Sequence, residues 1–501
     1  LSFRGKEAAS LAGRVDITGS GATATIKGDS LGGKLDATIR GDLLSRERAI
    51  SFSLRLQDQK LERMLGFLPS SGTRPRLSGG SASLSMSGTY ARQGGIHATL
   101  SGTGSGISLT GEGNRTLVSD AGLTIDSRIS GGNLSIKQAA FTVGRGVAAH
   151  VSGNVERFAS DERKGIVAFS LPKTPVNSLL DAFANALPRS LQEAVCEGAC
   201  SLEGAADIKG RQVRIHGGLA LEAASLEIAS QKVRVAGVNG TVPLSLHIPG
   251  KGVERKASTV SFSRENFPKL LQTLGGPAAG DVLKIGTLRF GALETGPFTL
   301  FMTADEGILR IVSIHGSLYD GRLLGNGFLL YGNGLEYGAD LLVNDLSLKQ
   351  FCESFPAIKG YITGRVDGVI SLLNVTGGIG GLAGYVDLWT RSVKGEKMSV
   401  SKEFLQKLAG KKLRGFLFTN DRAYDTGEIS AFLRNGFLTF ERLDISHTNL
   451  LGMKDLSVTV VPVQNRISLE HLLDSIRQAA ARGKSGGAGE SPVQTDLKWL
   501  E

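Results

Sequence analysis

The stretch ISFSLRL, residues 50–56, carries an apolar side chain at every second position and a polar one at each position between. Successive side chains of a β-strand point to opposite faces, so this alternation predicts a strand with one apolar and one hydrophilic face. The stretch VPLSLHI, residues 242–248, repeats the pattern, as do many segments separated by short turns rich in Gly, Asn, Asp and Ser. The alternation is typical of an antiparallel sheet that is wet on one side.

Outward from residues 50–56, strand patterns recur at intervals that suit hairpins and meanders rather than strand–helix–strand units. Roughly thirty such strands in one flat sheet would expose a large apolar face, which soluble proteins do not tolerate. We therefore predict a mainly β fold: a long, twisted, mostly antiparallel sheet curled into an elongated groove (a "β-taco") with a few short amphipathic helices. At about 4.8 Å per strand, such a groove would extend on the order of 140 Å.

The chain divides by composition into four predicted regions. Residues 1–250 form an N-terminal repetitive β-groove segment with a helical insertion near 175–196, and residues 251–266 are a joint. Residues 267–481 form a C-terminal β-groove region, and residues 482–501 a flexible linker and tail. Apolar spacing predicts helices at 57–68, 176–195, 267–274, 400–408 and 468–481.

Composition narrows the function classes. The 501 residues include 68 glycines, 21% charged residues and a net charge of +10. These proportions are close to those of folded proteins, and the basic residues are scattered rather than gathered into a nucleic-acid-binding arm. Solvated strand faces explain the basic excess, with attraction to anionic lipid headgroups as the alternative. No stretch has the eighteen or so consecutive apolar residues that a membrane-spanning helix needs.

The sequence predicts no catalytic, metal or cofactor-binding residues, and therefore no enzyme. The segment TGGIGGLAG, residues 376–384, imitates a dinucleotide fingerprint, but the alternation that follows it predicts a strand where that motif needs a helix. The seven histidines are scattered and form no zinc-binding pair. Cys196 and Cys200 are candidates for a local disulfide, with two small buried residues as the alternative.

Apolar residues at alternate strand positions are the candidates to line the groove. A continuous track of such side chains suits acyl chains, because each buried methylene contributes about 0.8 kcal/mol. The predicted lining residues are Val15, Ile17, Leu35, Ile39, Ile50, Phe52, Leu54, Val213, Ile215, Leu219, Leu221, Val242, Leu244, Leu246, Ile248, Leu309, Ile311, Leu329, Leu443 and Ile445.

Four segments of the C-terminal half carry a resemblance to a known family: ILRIVSIHGSLYDGRLLGNGFLL (308–330), YGADLLVNDLSLKQF (337–351), IKGYITGRVDGVISL (358–372) and SAFLRNGFLTFERLDISHTNLLG (430–452). They resemble the strand, small-apolar-Tyr-x-Gly turn and return-strand pattern of the AsmA-like family of bacterial envelope proteins. The resemblance covers about 290–465 well and residues 1–250 only in style. The family is similar in architecture to bridge-like lipid transfer proteins.

The resemblance implies a periplasmic protein that moves phospholipids along its groove between the inner and outer membranes. The resemblance also implies that an N-terminal transmembrane anchor of the full-length protein holds it to the inner membrane, and that a small outer-membrane partner binds at the other end. Phospholipid is the transported ligand, and nucleic acid is not expected to bind. Two alternatives stay open: an assembly factor that binds client strands of outer-membrane proteins at a sheet edge, and a structural β-solenoid.

Overall fold

The computed structural model describes residues 2–3, 6–7, 9–42, 49–65, 76–111, 116–144, 146–187, 192–249, 261–291, 293–331, 336–355, 358–374, 381–408, 420–459 and 466–468. The chain forms two compact units: unit 1 holds Leu1–Ala224 and Leu246–Lys251, and unit 2 holds Ser225–Ser245 and Gly252–Glu501. The predicted joint lies mostly outside the described residues, and the predicted tail at 482–501 lies wholly outside them. The predicted domain bounds stay predictions.

Strands of 10 to 17 residues follow one another through most of unit 1. They are β1 Ser2–Phe3, β2 Lys6–Glu7, β3 Ala9–Thr18, β4 Gly21–Ser30, β5 Gly33–Asp42, β6 Ile50–Lys60, β7 Arg76–Ala91, β8 Gly95–Thr110, β9 Thr116–Ser130, β10 Asn133–Val143, β11 Val147–Glu156, β12 Lys164–Pro175, β13 Val195–Lys209 and β14 Gln212–Ile228, the last of which continues into unit 2.

Unit 2 begins with the end of β14 and most of β15, Val233–Ile248. Its other strands are β16 Asp281–Ile285, β17 Thr287–Phe290, β18 Leu293–Thr295, β19 Phe298–Asp305, β20 Ile308–Leu318, β21 Gly321–Leu330, β22 Glu336–Ser347, β23 Ile362–Thr363, β24 Arg365–Asn374, β25 Leu382–Arg391, β26 Ser399–Val400, β27 Arg422–Ala423, β28 Thr426–Arg434, β29 Phe437–Thr448, β30 Lys454–Thr459 and β31 Arg466–Ser468.

The prediction of a mainly β fold with a long antiparallel sheet and few helices is confirmed, and the sheet is not closed. Most consecutive strands pair as hairpins, and the turn chemistry explains why. In the β28–β29 turn, Asn435 and Gly436 have φ values of 52° and 75°. A two-residue turn of this kind matches the twist of its flanking strands and favours Asn-Gly. Strand β25 occupies the segment after the glycine-rich run, as the alternation predicts.

Within the described ranges, five short helices accompany the sheet: α1 Leu61–Leu65, α2 Val176–Ala182, α3 Phe267–Leu274, α4 Leu348–Glu353 and α5 Lys402–Leu408. Two single turns of 3-10 helix lie at Ala184–Ala186 and Ala229–Gln231. The predicted helix at 267–274 is confirmed as α3, and that at 400–408 is confirmed in shorter form as α5. Of the pair predicted at 176–195, split near Pro188, only the first helix is confirmed, as α2; residues 188–191 lie outside the described residues, and Val195 begins β13. The prediction for 57–68 is wrong at its start, because β6 continues to Lys60. Of 468–481, Ser468 ends β31 and the rest lies outside the described residues.

Closed hydrophobic clusters occupy limited parts of each unit. In unit 1, one cluster lies where β8 and β10 end and β9 and β11 begin, and α1 and α2 pack against it. In unit 2, one cluster lies beneath α3, and another joins α5 to β26, β29 and β30. No helix in the described part of the chain is long and apolar enough to cross a bilayer.

The cysteine pair corrects one prediction. Cys196 and Cys200 are free and buried, and both lie on strand β13. Four residues of extended chain separate their Cα atoms by about 13 Å, whereas a disulfide needs about 4.4–6.8 Å. Burial raises the pKa of both thiols, so they remain protonated and unreactive. The alternative, two small buried residues, is the correct one.

Candidate functional site

In unit 1, directly paired apolar residues of successive strands form rows that cross the sheet. The central row contains Gly13, Ile26, Ala37, Leu54, Met86, Leu100, Ser127, Ile136, Gly153, Val167 and Ala206. A parallel row contains Leu11, Gly28, Leu35, Leu56, Leu84, Gly102, Ile125, Ala139, Val151, Phe169 and Gly204. Residues paired directly across antiparallel strands share a face, so the rows form one continuous surface, the unit 1 apolar face.

The large side chains of these two rows are half-buried rather than buried. Leu54, Met86 and Leu100 are all in this intermediate state. A core residue between two packed layers would be fully enclosed, because protein interiors are close-packed. The unit 1 apolar face is therefore not covered by a second layer along these rows. The closed cluster beneath α1 and α2 lies at one margin of this face, while Val15 and Ile17, near the other margin, are 65% and 66% exposed.

Unit 2 repeats the arrangement with its own strands. Its central row, the unit 2 apolar face, contains Leu283, Leu300, Ile314, Gly325, Leu341, Ile370, Val386, Ala431 and Phe440. Leu341, Ile370 and Val386 are half-buried, as are their counterparts in unit 1, whereas Leu283, Ile314 and Ala431 of the same row are buried. The α5 cluster closes one margin of this face around Ile445.

The structure places the predicted lining residues as follows. In unit 1, Val15, Ile39 and Phe52 belong to one row. Ile17 and Ile50 share a second row, and Leu35 and Leu54 belong to the two central rows. In unit 2, Leu309 pairs with Leu329, while Ile311 and Leu443 lie on the same face in neighbouring rows.

Strands β14 and β15 hold the remaining predicted residues. They are Val213, Ile215, Leu219, Leu221, Leu246 and Ile248 in unit 1, and Val242 and Leu244 in unit 2. Most of the twenty are half-buried; Val15, Ile17, Ile39 and Ile248 are exposed, and Ile445 lies within a closed cluster. Sequence reasoning did not single out Met86, Leu100, Leu341 or Ile370, although period-two alternation runs through all four.

Helix α3 lies on the opposite face of the unit 2 sheet. Its buried side chains contact Leu324, Leu342 and Val369, whereas the immediate neighbour Leu341 belongs to the unit 2 apolar face. Successive residues of a strand point to opposite faces. Helix α3 therefore covers an apolar island on the hydrophilic face and leaves the unit 2 apolar face uncovered.

An ionic cluster holds the segment before α3 against the sheet. Arg264 donates to Glu428 at 2.6 Å, and Arg442 donates to the other carboxylate oxygen at 2.8 Å. The Arg264 guanidinium also lies 5.0 Å from the ring centre of Trp389, which contacts Phe267 edge-on. The hydrogen bond from Arg264, followed by that from Arg442, lowers the pKa of Glu428.

We expect Glu428→Gln to destabilise unit 2 by about 1 kcal/mol at pH 7, since the arginines are half exposed and solvent screens them. A carboxylate with a lowered folded-state pKa stabilises the fold above its unfolded pKa. That contribution is lost as the pH falls through the folded value. Urea unfolding of both proteins from pH 7 to pH 2.5 should therefore show a gap that closes in acid. A gap that stays constant with pH would show that Glu428 acts by packing alone.

Ser127 is the polar exception on the central row of unit 1. It is 0% exposed, and its Oγ has no hydrogen-bond partner in the described structure. A buried hydroxyl without a partner costs about 1–3 kcal/mol. We expect Ser127→Ala to raise the free energy of unfolding by about 1 kcal/mol, measured by urea denaturation. Ser53→Ala, at an exposed position, is the control and should change it by less than about 0.5 kcal/mol. A destabilised Ser127→Ala would show that the hydroxyl has a bonding partner.

The hydrophilic face of unit 1 carries a shallow cavity of about 520 Å³. Its walls are formed by Leu56, Leu84, Gly102 and Ile125 of the second apolar row and by the polar residues that flank this row: Arg55, Gln57, Ser83, Ser85, Ser101, Thr103, Thr124, Asp126 and Gln138. These groups pair across the strands on the side away from Leu54 and Met86. Polar side chains therefore predominate on the hydrophilic face of these strands, as the period-two alternation predicts. Within the described ranges, no group of three metal-ligating side chains could hold an ion.

Comparisons with known proteins identify no relative. No model of a known protein family matches this chain, and neither the curated proteins nor the solved structures contain a match. The resemblance to the AsmA-like family therefore stays a prediction from sequence.

Proposed function

We propose that the chain is a lipid-transfer protein of the bacterial periplasm that carries phospholipid acyl chains along its apolar faces between the inner and outer membranes. One observation supports this most: rows of mainly apolar residues cross successive strands of each unit, and most of their large side chains are half-buried rather than enclosed. In the proposal, the sheet curls along these rows into a groove, and acyl chains complete the burial that the protein itself leaves unfinished.

The chemistry of the rows suits sliding rather than fixed binding. Val, Ile, Leu, Met and Phe are the commonest residues of the rows, with glycines and alanines between them, so most positions offer the acyl chain an apolar contact and none offers a specific pocket. Each methylene removed from water contributes about 0.8 kcal/mol, and this gain is nearly the same at neighbouring positions. A lipid tail can then move along the rows without crossing a large barrier. Its headgroup stays at the exposed margin.

Transfer between vesicles tests the proposal. The purified chain is added to donor vesicles that contain a self-quenched fluorescent phospholipid, together with unlabelled acceptor vesicles. We expect dequenching at least tenfold faster than spontaneous exchange, and native mass spectrometry should detect phospholipid bound to the protein. A chain that carries no lipid after gentle extraction and does not accelerate exchange is not a lipid-transfer protein. A protein strand bound to the sheet edge instead would favour the assembly-factor alternative.

A further inference from the structure

The loop between β29 and β30, residues 449–453, presents three large apolar side chains to solvent. Leu450 is 107% exposed, Leu451 81% and Met453 59%. Isolated exposed apolar residues are common at protein surfaces, but three within four residues at one hairpin tip form a projecting patch. We call residues 449–453 the apolar tip.

The apolar tip is held in one conformation by Asn449. The Asn449 side-chain oxygen accepts hydrogen bonds from the backbone N–H groups of Leu451 and Met453, each at 3.0 Å. The Asn449 N–H donates to the Met453 carbonyl at 2.9 Å, and the Gly452 N–H donates to the Asn449 carbonyl at 2.9 Å. The loop therefore pays little additional ordering entropy when its side chains enter an apolar phase.

The charged groups below the tip are already engaged. Asp455 Oδ1 lies 2.5 Å from His447 Nδ1, and Asp425 accepts the Thr448 N–H at 2.6 Å. Lys454, directly after the tip, is exposed. Both described carboxylates at the base of the tip therefore have hydrogen-bonding partners, and the exposed Lys454 adds a positive charge that can attract anionic headgroups.

We propose that the apolar tip is a membrane-contact site, which inserts Leu450, Leu451 and Met453 into the interfacial region of a lipid bilayer. A convex tip of flexible side chains suits a deformable apolar phase better than a protein partner, which would need a matching pocket. The site is distinct from the apolar faces and does not depend on lipid transfer. The interaction is driven by apolar burial, so salt screens it only weakly.

The test uses the full chain and vesicles of phosphatidylcholine and phosphatidylglycerol in a 3:1 ratio. We expect the triple variant Leu450→Ser, Leu451→Ser, Met453→Ser to lower the vesicle partition coefficient at least tenfold. The control Ile166→Ser, Val195→Ser, which replaces exposed apolar residues of unit 1, should leave it unchanged. Binding of the unsubstituted chain should persist in 0.5 M NaCl. Thermal melting of the triple variant should match that of the unsubstituted chain, because the replaced side chains are exposed.

A fluorescent bimane label locates the contact directly. When the label is attached to the cysteine of Leu450→Cys, its emission maximum should shift to shorter wavelength when vesicles are added. The emission of the same label on Arg92→Cys, in the β7–β8 turn, should not shift. The proposal is overturned if the chain ignores vesicles, if salt releases it, or if the triple variant partitions like the unsubstituted chain. If the chain binds vesicles through the tip but transfers no phospholipid, the membrane-contact site is supported and the proposed lipid-transfer function is wrong.

Discussion

Leu54→Asp is expected to lower the amount of phospholipid that copurifies with the chain at least tenfold while leaving the sheet folded. Leu54 lies on the central row of unit 1, between Ala37 and Met86. A carboxylate there pushes about two methylene groups of a bound acyl chain back toward water, at about 0.8 kcal/mol each. That loss corresponds to slightly more than a tenfold change in affinity. Leu54 is only half-buried, so the new charge keeps access to water and the fold tolerates it.

Ser53→Asp is the matched control for this experiment. Ser53 is exposed on the hydrophilic face, one residue from Leu54. Bound phospholipid, quantified by lipid mass spectrometry per mole of protein, should be unchanged in this variant. Circular dichroism of both variants should match the unsubstituted chain. Equal lipid content in Leu54→Asp and Ser53→Asp would contradict a role for the apolar face. The variants Leu244→Asp and Leu329→Asp extend the same test to unit 2.

Leu342→Ala is expected to cause the largest loss of stability in unit 2, about 2–5 kcal/mol. Leu342 is 0% exposed and packs beneath α3 beside Val369. Removing a fully enclosed side chain forfeits its burial and leaves a cavity that the close-packed surroundings fill only in part. Urea unfolding, followed by circular dichroism, measures the change.

Leu341→Ala separates the two faces of β22. Leu341 lies next to Leu342 on β22, but its side chain belongs to the half-buried unit 2 apolar face. We expect its truncation to cost about half as much as that of Leu342, because part of its surface is already in water. We also expect the two variants to differ in lipid binding: Leu341→Ala lowers bound phospholipid, and Leu342→Ala does not, as long as the protein is folded. Equal destabilisation by both would show that the unit 2 apolar face is closed.

The sequence predicts the faces of this sheet well, because period-two alternation is a local property. The alternation at residues 50–56 assigns Leu54 to the apolar side and Ser53 to the other, and the strand register confirms both. The Asn435–Gly436 turn was equally predictable, since the left-handed backbone there favours those residues. Helix α3 followed from its apolar spacing.

Other features depend on tertiary structure and could not be predicted. The first residues of the helix predicted at 57–68 belong to β6 instead, because Gln59 and Lys60 still pair with β7 after a bulge at Asp58. Which face α3 covers depends on contacts with strands about forty to one hundred residues further along the chain, which periodicity does not report. The extent of the closed clusters could not be predicted either. The sequence therefore did not distinguish Ile445, which is buried in a cluster, from Leu443, which is half-buried.

Photo-crosslinking tests most directly whether the unit 1 apolar face contacts lipid. Benzoylphenylalanine replaces Met86 on the central row, or Ser87 on the hydrophilic face, in chain produced in cells and irradiated there. Mass spectrometry then searches each protein for a covalent phospholipid adduct. We expect an abundant adduct at Met86 and almost none at Ser87. If Met86 yields no lipid adduct, or no more than Ser87, this face does not carry lipid and the proposed function is wrong.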